Sequence, residues 1–396
     1  MPRPRGPRPS CSPAAACGCS TICATRPSRR RRERAPDAAR KDHAMTVAIN
    51  GRFLIDSFGG VRRFATELTH HLAASRDDVV VLAPSSADTT DLDGVRVQTV
   101  GRLAGPAWEQ FELPRWLRGH GSPLLLNFAN IAPVFWRHQV TVLHDIAPAI
   151  RPQDFTLPFR VQWQLAVRFG MLRRGQHLVT VSHASQREIA ERFGVDASTI
   201  EVVYEGADSL PVPPAPDRTG ARTRVVAFGR HGAAKNTHAV LDAVAQLPAD
   251  SDIDVEFVGK LDPELEPYAA AKGIPADRLR WTGPVSDTEL AAAFARADAF
   301  VWPSLHEGFG LPPLEAQRLG APVLASDIPI NREILGDSAR YFPATEPAAL
   351  ARLLTEISTS AELRAALSGA SRANAEKFTW DATTSAWNAI IARRAR

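Results

Sequence analysis

The sequence predicts an α/β protein of two Rossmann-like, doubly wound domains facing a central cleft, and three observations point to it. From Thr46 onward, short apolar runs alternate with longer amphipathic stretches, the pattern of a parallel sheet covered by helices. A segment with four prolines between Leu210 and Asp217 and no apolar period interrupts the alternation and reads as an interdomain linker. Behind it the alternation restarts, and 396 residues suffice for two domains with sizeable cores. The expected divisions are residues 45–209, a linker at 210–222, a second domain at 223–378 and a terminal helix at 379–396.

In the first domain the runs Val47–Ile49, Val79–Leu82, Leu124–Asn127, Val140–His144 and Leu178–Val181 have the length and apolar content of buried strands. Helical spacing covers Val61–Ala74, Phe159–Arg173 and Ser185–Arg192. Gly59 and Gly60 form a tight strand-to-helix turn able to present backbone N–H groups to a phosphate. His144 and Asp145 end a strand, and ligands of parallel sheets sit outside the carboxyl ends of the strands. Ser182 is placed to cap the helix that follows it.

The second domain repeats the pattern with strands at Val225–Phe228, Val255–Val258, Leu279–Trp281, Ala299–Trp302 and Val323–Ala325. Helices are expected at Thr237–Gln246, Asp287–Arg296, Ala348–Ile357 and Ala361–Glu376, with Trp387, Ile390 and Ile391 helically spaced in Asp381–Arg394. Arg230 and Lys235 leave the carboxyl end of the first of these strands, a forked donor and a mobile point charge suited to a diphosphate. The stretch Trp302–Gly320 carries most information. Glu307 and Glu315 flank a loop in which Gly308 and Gly310 lack a Cβ and permit close backbone approach. Pro312 or Pro313 suits the first turn of a helix and Gly320 its end. The free N–H groups and positive dipole at that helix start favour an anion. A phosphate cradle between two hydrogen-bond acceptors describes a site for a nucleotide sugar.

The segment His306–Ala316, H-E-G-F-G-L-P-P-L-E-A, resembles the Glu-x7-Glu signature of retaining glycosyltransferases of family 4, which have the GT-B architecture. Gly229–Asn236 resembles the G-R-x4-K-N element of that family, and Gly59–Phe64 its G-G-x-x-R-[YF] segment, with Arg62 where small residues are frequent. The resemblance covers residues 46 to about 394 and implies transfer of a hexose from a nucleoside diphosphate sugar, GDP-mannose first, to a glycan or lipid-linked acceptor. It implies that Arg230 and Lys235 meet the donor phosphates, that Glu307 and His144 hold the donor sugar, and that Glu315 takes the ribose hydroxyls. Backbone amides of Gly308, Phe309, Gly310 and Leu311 join the phosphate site, with Gly59, Gly60 and Asp145 close to the donor. Trp108–Leu113 shapes the acceptor side, and the terminal helix crosses back to the first domain. No cofactor and no metal are implied, and no Asp-x-Asp element stands where it would hold a metal–diphosphate pair. The alternatives are a nucleotide-sugar epimerase of the same fold and a non-catalytic nucleotide-sugar-binding protein.

Charge is distributed unevenly. Residues 1–44 contain eleven Lys or Arg against three Asp or Glu, so the formal +4 leaves the rest of the chain mildly acidic, and the composition gives no case for nucleic acid. That basic, Pro- and Arg-rich segment has no hydrophobic period and no apolar signal-peptide core, and reads as a disordered tail or as sequence upstream of a start at Met45. An organelle transit peptide and a polyanion-binding arm are the functional readings of it. All four cysteines lie there, which points to a reducing cytoplasm for the remainder. Peripheral contact with the inner face of a membrane stays open. Trp116, Phe135 and Trp136 are read either as an interfacial patch or as core.

Overall fold

The computed structural model describes residues 46–55, 59–172, 176–215, 222–229 and 233–395, which belong to one compact unit. Seven parallel strands form the first sheet: β1 (Val47–Asn50), β2 (Val79–Ala83), β3 (Val97–Thr99), β4 (Leu124–Asn127), β5 (Gln139–Val142), β6 (His177–Thr180) and β7 (Ile200–Val202). Six form the second: β8 (Thr223–Phe228), β9 (Ile253–Val258), β10 (Leu279–Gly283), β11 (Ala299–Trp302), β12 (Val323–Ser326) and β13 (Ala339–Phe342). Their orders are β3-β2-β1-β4-β5-β6-β7 and β10-β9-β8-β11-β12-β13. In each sheet the winding reverses between the first strand and the fourth, β1 beside β4 and β8 beside β11. Doubly wound sheets leave a ligand crevice at that reversal.

The central strands are legible because both faces are covered: every residue of β1, β2, β4, β5, β11 and β12 is buried. The edge strands β3, β7 and β13 are partly exposed and include Gln98, Glu201 and Arg340, which hides them from a search for apolar runs. The expected strand at Val140–His144 ends at Val142, leaving His144 in the loop beyond. The expected helix Phe159–Arg173 begins at Leu157, with Pro158 in its first turn, and widens into a π-type stretch over Ala166–Met171; Arg173 lies outside the described residues. Helices Leu265–Ala271 and Pro329–Leu335, absent from the sequence reading, cover further sheet surface.

The terminal helix Trp380–Arg394 lies against the first sheet's helix Gly60–Ser75. Trp387 meets the Phe128 ring edge-on at 5.2 Å, and Arg393 pairs with Glu201 at 2.7 Å. Gly206 makes room for this crossing, because a Cβ there would lie 2.4 Å from the Trp380 nitrogen. Trp136 is buried and Trp116 stacks on His120 at 3.8 Å, so of the three residues considered for an interfacial patch only Phe135 stands exposed.

Candidate active site

Two loops leave the paired strands β8 and β11 at the crevice of the second sheet. They are tied together by the Leu305 N–H donating to the Ala234 carbonyl at 2.8 Å. Asn236, in the left-handed region at φ 54°, donates its side-chain amide to Pro303 and Ala344 carbonyls at 3.0 and 2.8 Å. Those bonds compensate a conformation that L-residues seldom adopt, and they fix the preceding residue. Lys235 Nζ then lies 2.6 Å from Glu307 Oε1 and 5.4 Å from the centre of the Trp302 ring. Arg230 lies outside the described residues.

Beyond Glu307 the chain turns at Gly310, φ 96°, into the helix Leu311–Arg318, with Pro312 in its first turn. No side chain caps this helix start, so its backbone donors are available to a ligand. The buried Trp302 Nε1 has no protein partner and points toward the same turn, 3.7 Å from where a Gly310 Cβ would stand. The unpartnered indole N–H and the uncapped helix start, beside the Lys235 ammonium that Glu307 now holds, have the chemistry of an anion site. The side chains of Phe309 and Leu311 are buried, Phe309 against Tyr204 and Phe378, so these two residues have only backbone to offer a donor.

Glu315 sits one turn into the helix, 3% exposed, and its partner comes from the other sheet's domain: Arg63 Nε lies 3.1 Å from Glu315 Oε1. The same guanidinium reaches Asp287 at 3.1 Å. Burial pushes the Glu315 carboxyl up to about 7, and Arg63 reverses only part of that rise. The neighbouring Arg62, noted in the sequence, pairs with Asp91 of the first domain at 2.6 Å, and the arginine that reaches Glu315 is Arg63. Gly59 precedes the helix that carries both in extended backbone, and Gly60 faces open space; Ser57 and Phe58 lie outside the described residues.

His144 lies in the loop just beyond β5. It is 5% exposed, Nε2 lies 2.9 Å from the Phe128 carbonyl, and Nδ1 lies 3.2 Å from Glu205 Oε1. A carbonyl only accepts, so Nε2 carries a hydrogen. Nδ1 therefore either donates to the Glu205 carboxylate or accepts from its acid form, and one proton is shared between the two groups. Burial opposes charge on His144, but the bond and charge of Glu205 outweigh it and hold the imidazole above its ordinary range; burial raises Glu205 as well. Both ring nitrogens thus have protein partners within the first domain, and the expected contact with a donor sugar requires one of these bonds to be exchanged for ligand. The His144 carbonyl accepts from Ser185 Oγ at 3.0 Å and lies where Gly308 passes so closely that a Cβ would be 2.4 Å away. Asp145 spends one carboxylate oxygen on the Ala147 N–H at 2.8 Å.

The loop carrying Glu307 is thus clamped onto the first domain. Ser182 donates to the Gly308 carbonyl at 2.8 Å, the single hydroxyl hydrogen of Ser185 is shared between the Gly308 and His144 carbonyls, each at 3.0 Å, and His306 meets Glu188 at 3.0 Å. Glu333 accepts the His183 and Ala184 N–H groups at 2.7 Å each, capping a first-domain helix from the second domain. Ser182 is the helix cap that its position predicts and also bonds the second domain, while Arg63, Glu205 and Asp287 pair with residues too distant in sequence for local motifs to signal. Among the described residues no three His, Cys, Asp or Glu side chains gather to hold a metal ion.

Two facing doubly wound sheets with this cleft between them define a GT-B protein. In the solved structure of Anabaena Alr3699/HepE in complex with UDP and glucose the same fold recurs at a TM-score of 0.69, with 19% identity, over 88% of this chain and 99% of that one. The family description "Glycosyltransferase Family 4" matches residues 58–209 and "Glycosyl transferases group 1" matches residues 216–374. The chain belongs to the family 4, group 1 glycosyl transferases. It is 29% identical over 208 residues to the O-antigen chain mannosyltransferase RfbU of Salmonella typhimurium, covering 52% of this chain and 56% of that one. It is 32% identical over 235 residues to the MMP alpha-(1->4)-mannosyltransferase of Mycolicibacterium hassiacum, covering 56% of each. The matches thus span little more than half the length of these curated relatives.

Proposed function

We propose that the chain transfers a hexose from a nucleoside diphosphate sugar to a hydroxyl of a glycan or glycolipid, with retention at the anomeric carbon. The observation that carries this reading is the Lys235–Glu307 pair, 2.6 Å apart, beside an uncapped helix start at the reversal of the second sheet. As the sugar–oxygen bond breaks, its electron pair leaves with the diphosphate and positive charge develops on the anomeric carbon. Lys235, the Trp302 indole N–H and the amides from Gly308 to Leu311 offset the negative charge by pre-set electrostatics, with Arg230 assigned to the same task by its motif. Glu307 takes sugar hydroxyls and Glu315 the ribose hydroxyls, so donor entry exchanges both carboxylates' present cation partners for ligand. The acceptor oxygen attacks from the face the diphosphate leaves, and its proton passes to the leaving phosphate.

Mannose on GDP is the first donor to test, because both curated relatives above are mannosyltransferases. The reading includes no metal and no other cofactor, and chelator is expected to leave turnover unchanged. The test is a panel of GDP-, UDP-, ADP- and dTDP-sugars read by thermal shift and slow donor hydrolysis. One donor that both stabilises the protein and is hydrolysed supports the assignment, and no response to any donor overturns it.

A further inference from the structure

On the face of the second domain opposite the donor crevice, a groove of about 910 Å³ opens beside the starts of β8, β11 and β12. Six arginines line it, Arg222, Arg224, Arg296, Arg318, Arg364 and Arg372, against one carboxylate, Asp298. The strands run four to six residues from the groove to the crevice, so about 13–20 Å of sheet separates the two. The helix Leu311–Arg318, whose start faces the donor crevice, ends here at Arg318.

Three of the arginines are already held by the protein. Arg222 pairs with Asp254 at 2.8 Å, Arg296 takes both oxygens of Glu256 at 2.7 and 2.8 Å, and Arg364 bonds the Ile357 and Ser358 carbonyls and lies 3.6 Å from Asp298. The other three hold no carboxylate among the described residues. Arg224 gives Asp298 only its backbone N–H, at 2.9 Å, and Arg318 Nε is buried without an acceptor. Arg372 donates one nitrogen to Ser368 Oγ at 3.1 Å and lies across Gly320, where a Cβ would stand 2.1 Å from its Nη2. Ser368 in turn donates to the Gly320 carbonyl at 2.7 Å, so Arg372 is fixed just past the helix end that carries Arg318. The negative ends of the helices Asp287–Arg296 and Leu311–Arg318 draw cations to this face, but a helix end supplies carbonyls and Arg318 Nε takes none. A guanidinium nitrogen kept from water without an acceptor is unfavourable, and a bound anion relieves it. Phosphate matches the forked donors of arginine, and the groove has the size of a small-ligand site rather than of one ion.

We propose that Arg318, Arg372 and Arg224 form a second binding site, remote from the donor, for a phosphate-bearing small molecule. The guanidinium groups take the phosphate, and Pro213, Pro322 and Ala365 supply an apolar wall for the body it is attached to. The site stands apart from the donor chemistry, and its binding is measured with no nucleotide sugar present. The experiment is isothermal titration of the full chain with sodium pyrophosphate, without divalent metal, against sodium chloride at the same ionic strength. The parent is expected to bind pyrophosphate beyond any response to chloride. The double substitution Arg318→Gln, Arg372→Gln is expected to weaken that binding by at least about tenfold, with an unchanged melting temperature. Lys235→Ala, in the donor crevice, is expected to keep it. If the double variant melts earlier, Arg372→Gln alone decides, because that side chain is exposed and its loss leaves the core intact. A parent that does not bind pyrophosphate overturns the proposal, and so does a double variant that binds as the parent does. In the second case, loss in Lys235→Ala would place the anion in the donor crevice, and retention there would place it on the basic first 44 residues.

Discussion

Arg63 Nε and Glu315 Oε1, 3.1 Å apart, join helices of the two domains across the cleft, and the carboxylate is the one assigned to the donor ribose. Arg63 is about a quarter exposed and Glu315 almost wholly buried, so removing the arginine leaves an uncompensated buried charge rather than a relaxed surface. Arg63→Met is expected to destabilise the protein by about 2 kcal/mol at pH 8 and by less at pH 6, where the carboxyl takes up a proton instead. Denaturant titration of the single and double variants with Glu315→Gln checks it, with an expected coupling of roughly 1–3 kcal/mol. Additive effects would show that the pair is a passive contact.

Glu315 alone sets a pH dependence. Its carboxyl stands at about 7 in the folded chain against an ordinary value of 4.5, so between those values the folded state holds a proton that the unfolded state has released. Its contribution to stability therefore falls as pH rises through that window and levels off above it, by at most about 3 kcal/mol. Glu315→Gln lacks this titration. The stability of the variant relative to the parent should rise from pH 4.5 to pH 7 and then stay flat, as read from chemical denaturation at several pH values. A difference constant across the range would mean that Arg63 keeps the carboxylate ionised throughout.

Lys235 and Glu307 are partly exposed at the mouth of the crevice, so neither supports the core. Lys235→Ala and Glu307→Ala are each expected to lower turnover by a factor on the order of 10² or more, with little change in melting temperature. The two losses should differ in kind. Lys235→Ala acts on the departing diphosphate and lowers kcat, whereas Glu307→Ala also weakens hold on the sugar and raises the donor KM. Near-normal turnover in either variant removes that residue from the mechanism.

Sequence legibility followed the physics of each feature. Buried strands such as Ala299–Trp302 and helices with a clear apolar period such as Asp287–Arg296 were read to the residue. The edge strands β3, β7 and β13 were not, since a segment such as Val97-Gln98-Thr99 has a solvent face and no apolar run. Glu307, Lys235 and the glycine turn were legible because they lie in short local motifs of one domain. The partners of Arg63 and the second role of Ser182 lie up to 252 residues away in sequence and are disclosed only where the two domains meet, whereas the Glu205–His144 pair comes from the folding of the first domain alone. For His144, position at a strand end suggests a ligand contact, while its present partners, Phe128 and Glu205, are not legible in the sequence.

Gly308 shows how closely the domains must meet for the site to form. Its backbone is held by Ser182 and Ser185 through the carbonyl, and a Cβ would stand 2.4 Å from the His144 oxygen and 3.2 Å from the Asp145 Cβ. Backbone cannot yield as a flexible side-chain end does, so Gly308→Ala must push the Glu307 loop away from the first domain. Such a shift weakens the serine bonds and moves Glu307 relative to anything held by the opposite wall. Displacements of about 1 Å suffice to cost about 10²-fold in rate. Gly308→Ala is therefore expected to lose about that much turnover, to melt earlier, and to show a larger radius of gyration in small-angle scattering. The loss should not be rescued by raising donor concentration, because the geometry of the closed cleft is what fails. Unchanged turnover together with an unchanged radius of gyration would mean that the working enzyme does not pass through this closed contact.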